Sequence, residues 1–216
     1  MRATGKGQDM ADYRLHCFFN SGNAFKVAMM LDLAGCDWEP VAVTPGGDPA
    51  HGPDWWAGAN SFAEVPVLEQ GGRFTSQSGV ILHRLARETG LFGARDEDEQ
   101  DEIWRWILYD NHKFTGNFSM LRYLCGIAKT GETQVTEYLR ARVRRSWAVV
   151  ETHLTTRDFI LGDRPSIADL SMAGYQFYSE PTGIDRAAEF PMIEAWTRRI
   201  AALPGWRPPE QVLPRV

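Results

Sequence analysis

Ser21, Gly22 and Asn23 stand where an alternating apolar run gives way to a helical one, so a serine hydroxyl sits beside the free N–H groups of a helix start. On residue type alone Ser21 is a helix cap, as at any strand-to-helix turn. Ser78 opens the helical stretch 78–88 (SGVILHRLARE) and reads at minimum as an N-cap; Pro66, in the segment EVPVL, precedes it by twelve residues. Ser166 and Asp169, within DRPSIADL, have capping-box spacing; their role is folding, and losing either side chain costs about 0.5 to 2 kcal/mol. Cys17, Cys36 and Cys125 are odd in number and lack CxxC or Cys/His spacing, which argues against a disulfide framework or a zinc site. Cys17 lies inside a strand pattern, where cysteine is usually a small buried hydrophobe.

The elements that must hold these residues fall into two regimes. Residues 13–19 (YRLHCFF) read as a strand, 23–34 (NAFKVAMMLDLA) as a helix stopped by Gly35, and 38–43 (WEPVAV) as a second strand. Residues 45–60 carry three prolines and four glycines and read as loop with a short helix at most. Gly71 and Gly72 separate two short strands as a hairpin turn needing positive φ. With the helix at 78–88, the order is βαβ, loop, ββα. Beyond Gly93 the pattern is helical throughout. The acidic run Asp96 to Asp101 marks a helix start, and has no EF-hand spacing. One long helix runs through Ile103, Trp106, Ile107, Asp110 and Phe114 to Tyr123 or beyond. Others follow at about 133–154, 166–177 and 192–203, and Pro208, Pro209 and Pro214 end the chain as an extended tail.

With 216 residues, about three quarters of the unfolded surface can be buried. A hydrophobic content of 44% argues against disorder, and no apolar run approaches membrane-spanning length. The N-terminal residues lack the apolar centre of a signal peptide, so a soluble, cytoplasmic protein is expected. A net charge of -5 makes a poor nucleic-acid or anionic-membrane binder; Arg140, Arg142, Arg144 and Arg145 read as one solvated helix face.

Glu64-Val65-Pro66-Val67-Leu68, followed by Ser76-Gln77-Ser78-Gly79-Val80-Ile81, resembles the thioredoxin-like half of the glutathione transferases. The capping box Ser166 to Asp169 is similar to that of the family's all-helical half. The resemblance implies an α/β plus all-α fold: a flexible tail at 1–11, a thioredoxin-like glutathione-binding domain at 12–90, a linker at 91–96 and an all-helical domain with its tail at 97–216. It implies a cis bond at Val65-Pro66, the Val65 backbone meeting the cysteinyl part of glutathione, and Gln77 and Ser78 taking its γ-glutamyl end at a helix N-terminus. It further implies glutathione as co-substrate, a hydrophobic electrophile, a homodimer and no metal. The family's usual Asn-Pro before the cis-proline loop is Asn60-Ser61 here.

Family members activate the thiol with Tyr, Ser or Cys near the end of the first strand. Phe18 and Phe19 lack a hydroxyl and Tyr13 opens the strand, which leaves Ser21, aligned with the serine of serine-type members when Lys26-Val27 is matched to their Arg-Val. A thiol of pKa ~8.5 is only about 3% ionised at pH 7, and lowering that value by two units takes ~2.7 kcal/mol. A hydrogen bond to a charged acceptor (~1.5 to 3 kcal/mol) and a helix N-terminus (~0.3 to 2 kcal/mol) together suffice. The resemblance thus assigns Ser21 as thiolate donor, Asn23 as a second donor and the Gly22-Asn23 amides as the positive helix end. Asn111-His112-Lys113-Phe114 is similar to a beta-class segment facing the electrophile, so Tyr109, His112, Lys113 and Phe114 are expected to line that pocket. The beta class's reactive cysteine has no counterpart at 20–26, and the zeta class's Ser-Ser-Cys reads Ser-Gly-Asn, so neither mixed-disulfide chemistry nor maleylacetoacetate isomerisation is implied. Glutathione-dependent peroxide reduction, dehalogenation or ether cleavage, and non-catalytic binding, are the alternatives.

Overall fold

The computed structural model describes residues 11–45, 60 and 62–216; most of the expected tail at 1–11 and of the proline- and glycine-rich stretch at 45–60, and Ser61, lie outside the described residues. Strand β1 (Tyr13–Cys17) pairs in parallel with β2 (Trp38–Ala42), Leu15 opposite Pro40. On its other side β1 pairs antiparallel with β3 (Val67–Gln70), Leu15 opposite Leu68, and β3 pairs with β4 (Arg73–Ser76), giving the order β2-β1-β3-β4. Gly71 and Gly72 have φ of 55° and 78°, the two positive values that a two-residue turn demands between Gln70 and Arg73. Helices α1 (Gly22–Leu33) and α2 (Ser78–Thr89) complete this thioredoxin-like half. The β1 pattern ends at Cys17 and not at Phe19. Phe18 already accepts from the Ser21 N–H at 3.1 Å, and the chain turns there to start α1.

The second half is helical. Asp96 caps α3 (Glu97–Tyr109) by accepting from the Glu99 N–H at 2.8 Å, and three carboxylates occupy the first turn. The expected single helix to Tyr123 is interrupted twice: wide π turns at Asp110–Phe114 and Tyr123–Ile127 flank α4 (Thr115–Arg122). Helix α5 (Gln134–His153) starts at a Thr133/Thr136 capping box. Helix α6 (Ile167–Ala173) starts at the Ser166/Asp169 box and ends earlier than its periodicity suggests. Short α7 (Arg186–Glu189), α8 (Pro191–Ala201) and α9 (Pro209–Val212) follow.

Two readings are corrected here. The tail is not extended: Pro209 suits the first helical position, α9 buries Val212 and Leu213, and Pro214 C=O accepts from the Phe19 N–H at 2.7 Å. The α5 arginines are not one solvated face, because residues two apart point to different sides of a helix. Arg140 donates to Thr182 C=O, Arg142 to Asn117 Oδ1 and Arg144 to Glu189, joining α5 to its neighbours. The core of this half centres on Trp147, whose ring lies 5.7 Å from Phe114, 4.9 Å from Phe118 and 5.4 Å from Phe190. Among the described residues, no helix is long and apolar enough to cross a membrane.

The two halves lock where α1 crosses α6. Lys26 Nζ donates to Asp110 Oδ2 at 2.7 Å with both side chains fully buried, and Ser171 Oγ donates to the same oxygen at 2.7 Å. Glycine is required at the crossing. A Cβ on Gly174 would lie 2.5 Å from the Gly22 carbonyl, and one on Gly22 would overlap the ring of Tyr175.

Candidate functional site

The seam between the halves opens into a cleft of about 510 Å³. One wall comes from the β1–α1 turn (Phe18, Asn20, Ser21, Asn23) and from Ala63, Glu64 and Val65; the other from Ser119, Met120, Arg122, Tyr123, Ile127 and Tyr175.

Ser21 is the N-cap of α1. Its Oγ accepts from the Ala24 N–H at 3.1 Å, which uses a lone pair and leaves the hydroxyl hydrogen free to donate. The side chain is nearly buried, so a hydrogen bond made there is poorly screened. Asn23 lies beside it with a buried amide oxygen that has no protein partner. A buried polar atom without a partner normally marks a missing water or ligand. The Val65-Pro66 bond is cis, as expected from the motif. Val65 precedes the β3 ladder, which begins at Val67, so its backbone groups lie outside the sheet pairing and beside the cleft. Those features together fit a thiol-bearing peptide lying across the cleft.

Gln77 and Ser78 are at the start of α2, outside the cleft lining. Ser78 is the first helical residue and not the cap: Gln77 holds the cap position with φ of 69°, and makes no side-chain cap bond. The Gln77 amide donates instead to Glu64 Oε2 at 3.1 Å, tying the α2 start to the segment before the cis bond. Gly22 packs beneath Tyr175 and contributes backbone alone.

The four residues expected at the electrophile wall, Tyr109, His112, Lys113 and Phe114, lie away from this cleft lining. The Tyr109 hydroxyl donates to Ser146 C=O at 3.0 Å, Phe114 is fully buried against Trp147, and His112 is exposed outside. The face of α3 holding Ile103, Trp106 and Ile107 is core-facing, and the π turn that follows re-phases the helix, so the cleft receives residues one to three turns later. Met120, Tyr123 and Ile127 line the cleft instead and are well exposed.

Arg122 and Tyr175 are components that sequence reasoning missed. Arg122 is 2% exposed; it forms a bidentate pair with Glu180, donates Nη1 to Asn20 C=O at 2.9 Å, and stacks 4.1 Å from the Tyr178 ring centre. Tyr178 Oη donates to Phe19 C=O at 2.7 Å, so the turn carrying Ser21 is held by the helical half. Arg122 left no local signal, since its partner is 58 residues away. Tyr175 could have been found from the capping box, which fixes the phase of the helix leading to it.

A four-stranded thioredoxin-like half, a helical half and a cleft with a cis-proline and a helix-capping serine define a class of protein. A family model described as "Glutathione S-transferase, N-terminal domain" matches residues 20–88, and one described as "Glutathione S-transferase, C-terminal domain" matches residues 114–204. The chain belongs to the glutathione S-transferase family. It is 26% identical over 204 residues to a probable glutathione S-transferase of Oryza sativa subsp. japonica, covering 90% of this chain and 94% of that one. It is 28% identical over 197 residues to the maleylacetoacetate isomerase of Rhizobium meliloti (strain 1021), covering 88% and 91%. Ure2p in complex with glutathione shares the fold, with a TM-score of 0.80 at 24% identity over 92% of each chain.

Proposed function

We propose that this chain is a cytoplasmic, homodimeric glutathione transferase of serine type, which ionises the glutathione thiol for attack on a hydrophobic electrophile. The observation that carries the reading is the Ser21 hydroxyl, fixed by its capping bond with its hydrogen left over, on the same cleft as the cis Val65-Pro66 segment. In this reading the Val65 N–H and C=O pair with the cysteinyl backbone, and Gln77, Ser78 and the α2 N-terminus take the γ-glutamyl carboxylate. Ser21 donates to sulfur, with the amide N–H of Asn23, on the same wall of the cleft, as a second donor. The thiol proton leaves to water, and the thiolate forms the new S–C bond while the electrophile's leaving group departs or its double bond accepts the electron pair. Met120, Tyr123 and Ile127 give that electrophile an apolar seat.

Ser21→Ala is the direct test. Loss of a hydrogen bond to a charged sulfur, ~1.5 to 3 kcal/mol, predicts a fall of roughly 10- to 150-fold in kcat/KM for an aryl halide near neutral pH. The same change removes a helix cap and costs about 0.5 to 2 kcal/mol of stability, read separately by urea unfolding. Unchanged kcat/KM would remove Ser21 from the mechanism. Retention of the chain on glutathione-agarose without turnover of aryl halides, organic peroxides or aryl ethers would favour a binding protein.

A further inference from the structure

Tyr175 projects from the segment after α6 onto the N-terminal turn of α1, across the boundary between the halves. It lines the cleft beside Ser21 while only 8% exposed. Its ring lies flat on Gly22, where any Cβ would overlap Cγ, Cδ1 and Cδ2. That contact fixes the ring, and the position tolerates no other residue beneath it. The backbone N–H groups of Asn23 and Gly22, at the positive end of α1, face the phenol and favour negative charge on its oxygen. A phenol has one hydrogen to give, and among the described residues no acceptor receives it. Tyr178, its neighbour at 6.1 Å, differs in this respect, since its hydroxyl is spent on Phe19.

We propose that Tyr175 is a second catalytic hydroxyl, donating its O–H to the sulfur of bound glutathione opposite Ser21, so that each half of the molecule supplies one donor to the thiolate. This rests on the glutathione reading above. The step moves one proton: the thiol gives its hydrogen to water, and Tyr175 keeps its own. Burial raises the phenol's pKa, while Arg122 and the two amides pull it down; Asp110 adds to the rise. The group therefore stays a neutral donor across the working range. Arg122, paired with Glu180, lies 5.8 Å from the Tyr175 ring centre. The arrangement makes thiol activation depend on the two halves being docked, since Ser21 comes from one and Tyr175 from the other.

The test is Tyr175→Phe, which keeps the ring on Gly22 and under Arg122 and removes only the hydroxyl. Ultraviolet titration of enzyme-bound glutathione should show the thiol pKa raised by about one unit, and turnover of an aryl halide should fall about tenfold near pH 6.5 but by under about threefold near pH 9, where the thiolate forms unaided. Affinity for S-hexylglutathione, which has no thiol to ionise, should stay within about twofold of the parent, on the premise that the hydroxyl binds the sulfur only as thiolate. A parent protein with a thiolate band and a Tyr175→Phe variant with the same pKa would overturn this inference alone. Loss of S-hexylglutathione binding in the variant would also overturn it, by making the hydroxyl structural. A parent protein that never shows the band overturns the glutathione reading and this inference with it.

Discussion

Asp110→Ala is expected to destabilise the protein by about 3 to 5 kcal/mol, because it leaves the Lys26 ammonium buried without a counter-charge. Neither Lys26 nor Asp110 has any exposed side-chain surface, and their 2.7 Å contact is the polar centre of the α1–α3–α6 junction. For a chain of this size each kcal/mol moves Tm by about 2 to 4 °C, so the drop is roughly 6 to 20 °C by calorimetry. The pair itself is a different matter. Two charges taken from water are costly to desolvate, so Lys26→Met combined with Asp110→Leu should recover most of the loss. If the single variant melts within about 2 °C of the parent, the buried pair is not what joins the halves.

Asp169→Ala is expected to cost about 3 kcal/mol or more, above the 0.5 to 2 kcal/mol that a capping role alone would give. Oδ2 accepts from the Ser166 N–H at 2.9 Å and from its hydroxyl at 3.0 Å, which is the capping box. Oδ1 does more: it accepts from the Ile160 N–H at 2.8 Å and from Trp196 Nε1 at 2.9 Å, which ties α6 to the preceding turn and to α8. Removing the carboxylate leaves three buried N–H groups bare, each worth about 1 kcal/mol or more. Burial pushes the Asp169 pKa up while these donors pull it down. A urea-unfolding loss under about 1.5 kcal/mol would return Asp169 to a simple cap.

Both residues show what could be read in the chain and what could not. The Ser166–Asp169 spacing is local and gives the helix start directly. Trp196 and Ile160 reach the same carboxylate from 27 and 9 residues away, and no periodicity records that. Gly71-Gly72 and Asp96 were legible because turn and cap chemistry is written in neighbouring residues, while the cis bond at Val65-Pro66 was implied by the family resemblance. Ser78 was displaced by one position because Gln77 adopts a positive φ that its residue type does not announce. Tyr109, His112, Lys113 and Phe114 lie off the cleft lining for a geometric reason. A π turn inserts a residue into the helix, and each residue is about 100° of rotation, so spacing counted from Ile103 loses its phase after Asp110. Tyr109 and Phe114 had the right composition for a pocket and belong to the packing against α5. Ser21 was proposed from the residue types that the resembled family uses at the strand end; Arg122 required the fold, since its partners come from both halves, whereas the capping box fixes the phase of the helix leading to Tyr175.

The central claim is that the α1 turn lowers the pKa of a bound thiol. Ultraviolet difference titration of glutathione on the parent protein and on Ser21→Ala tests it most directly. The parent is expected to show saturable binding and a thiol pKa about two units below the free value of ~8.5, with Ser21→Ala recovering one unit or more of that shift. A bound thiol that titrates at its free value in the parent protein would contradict the account.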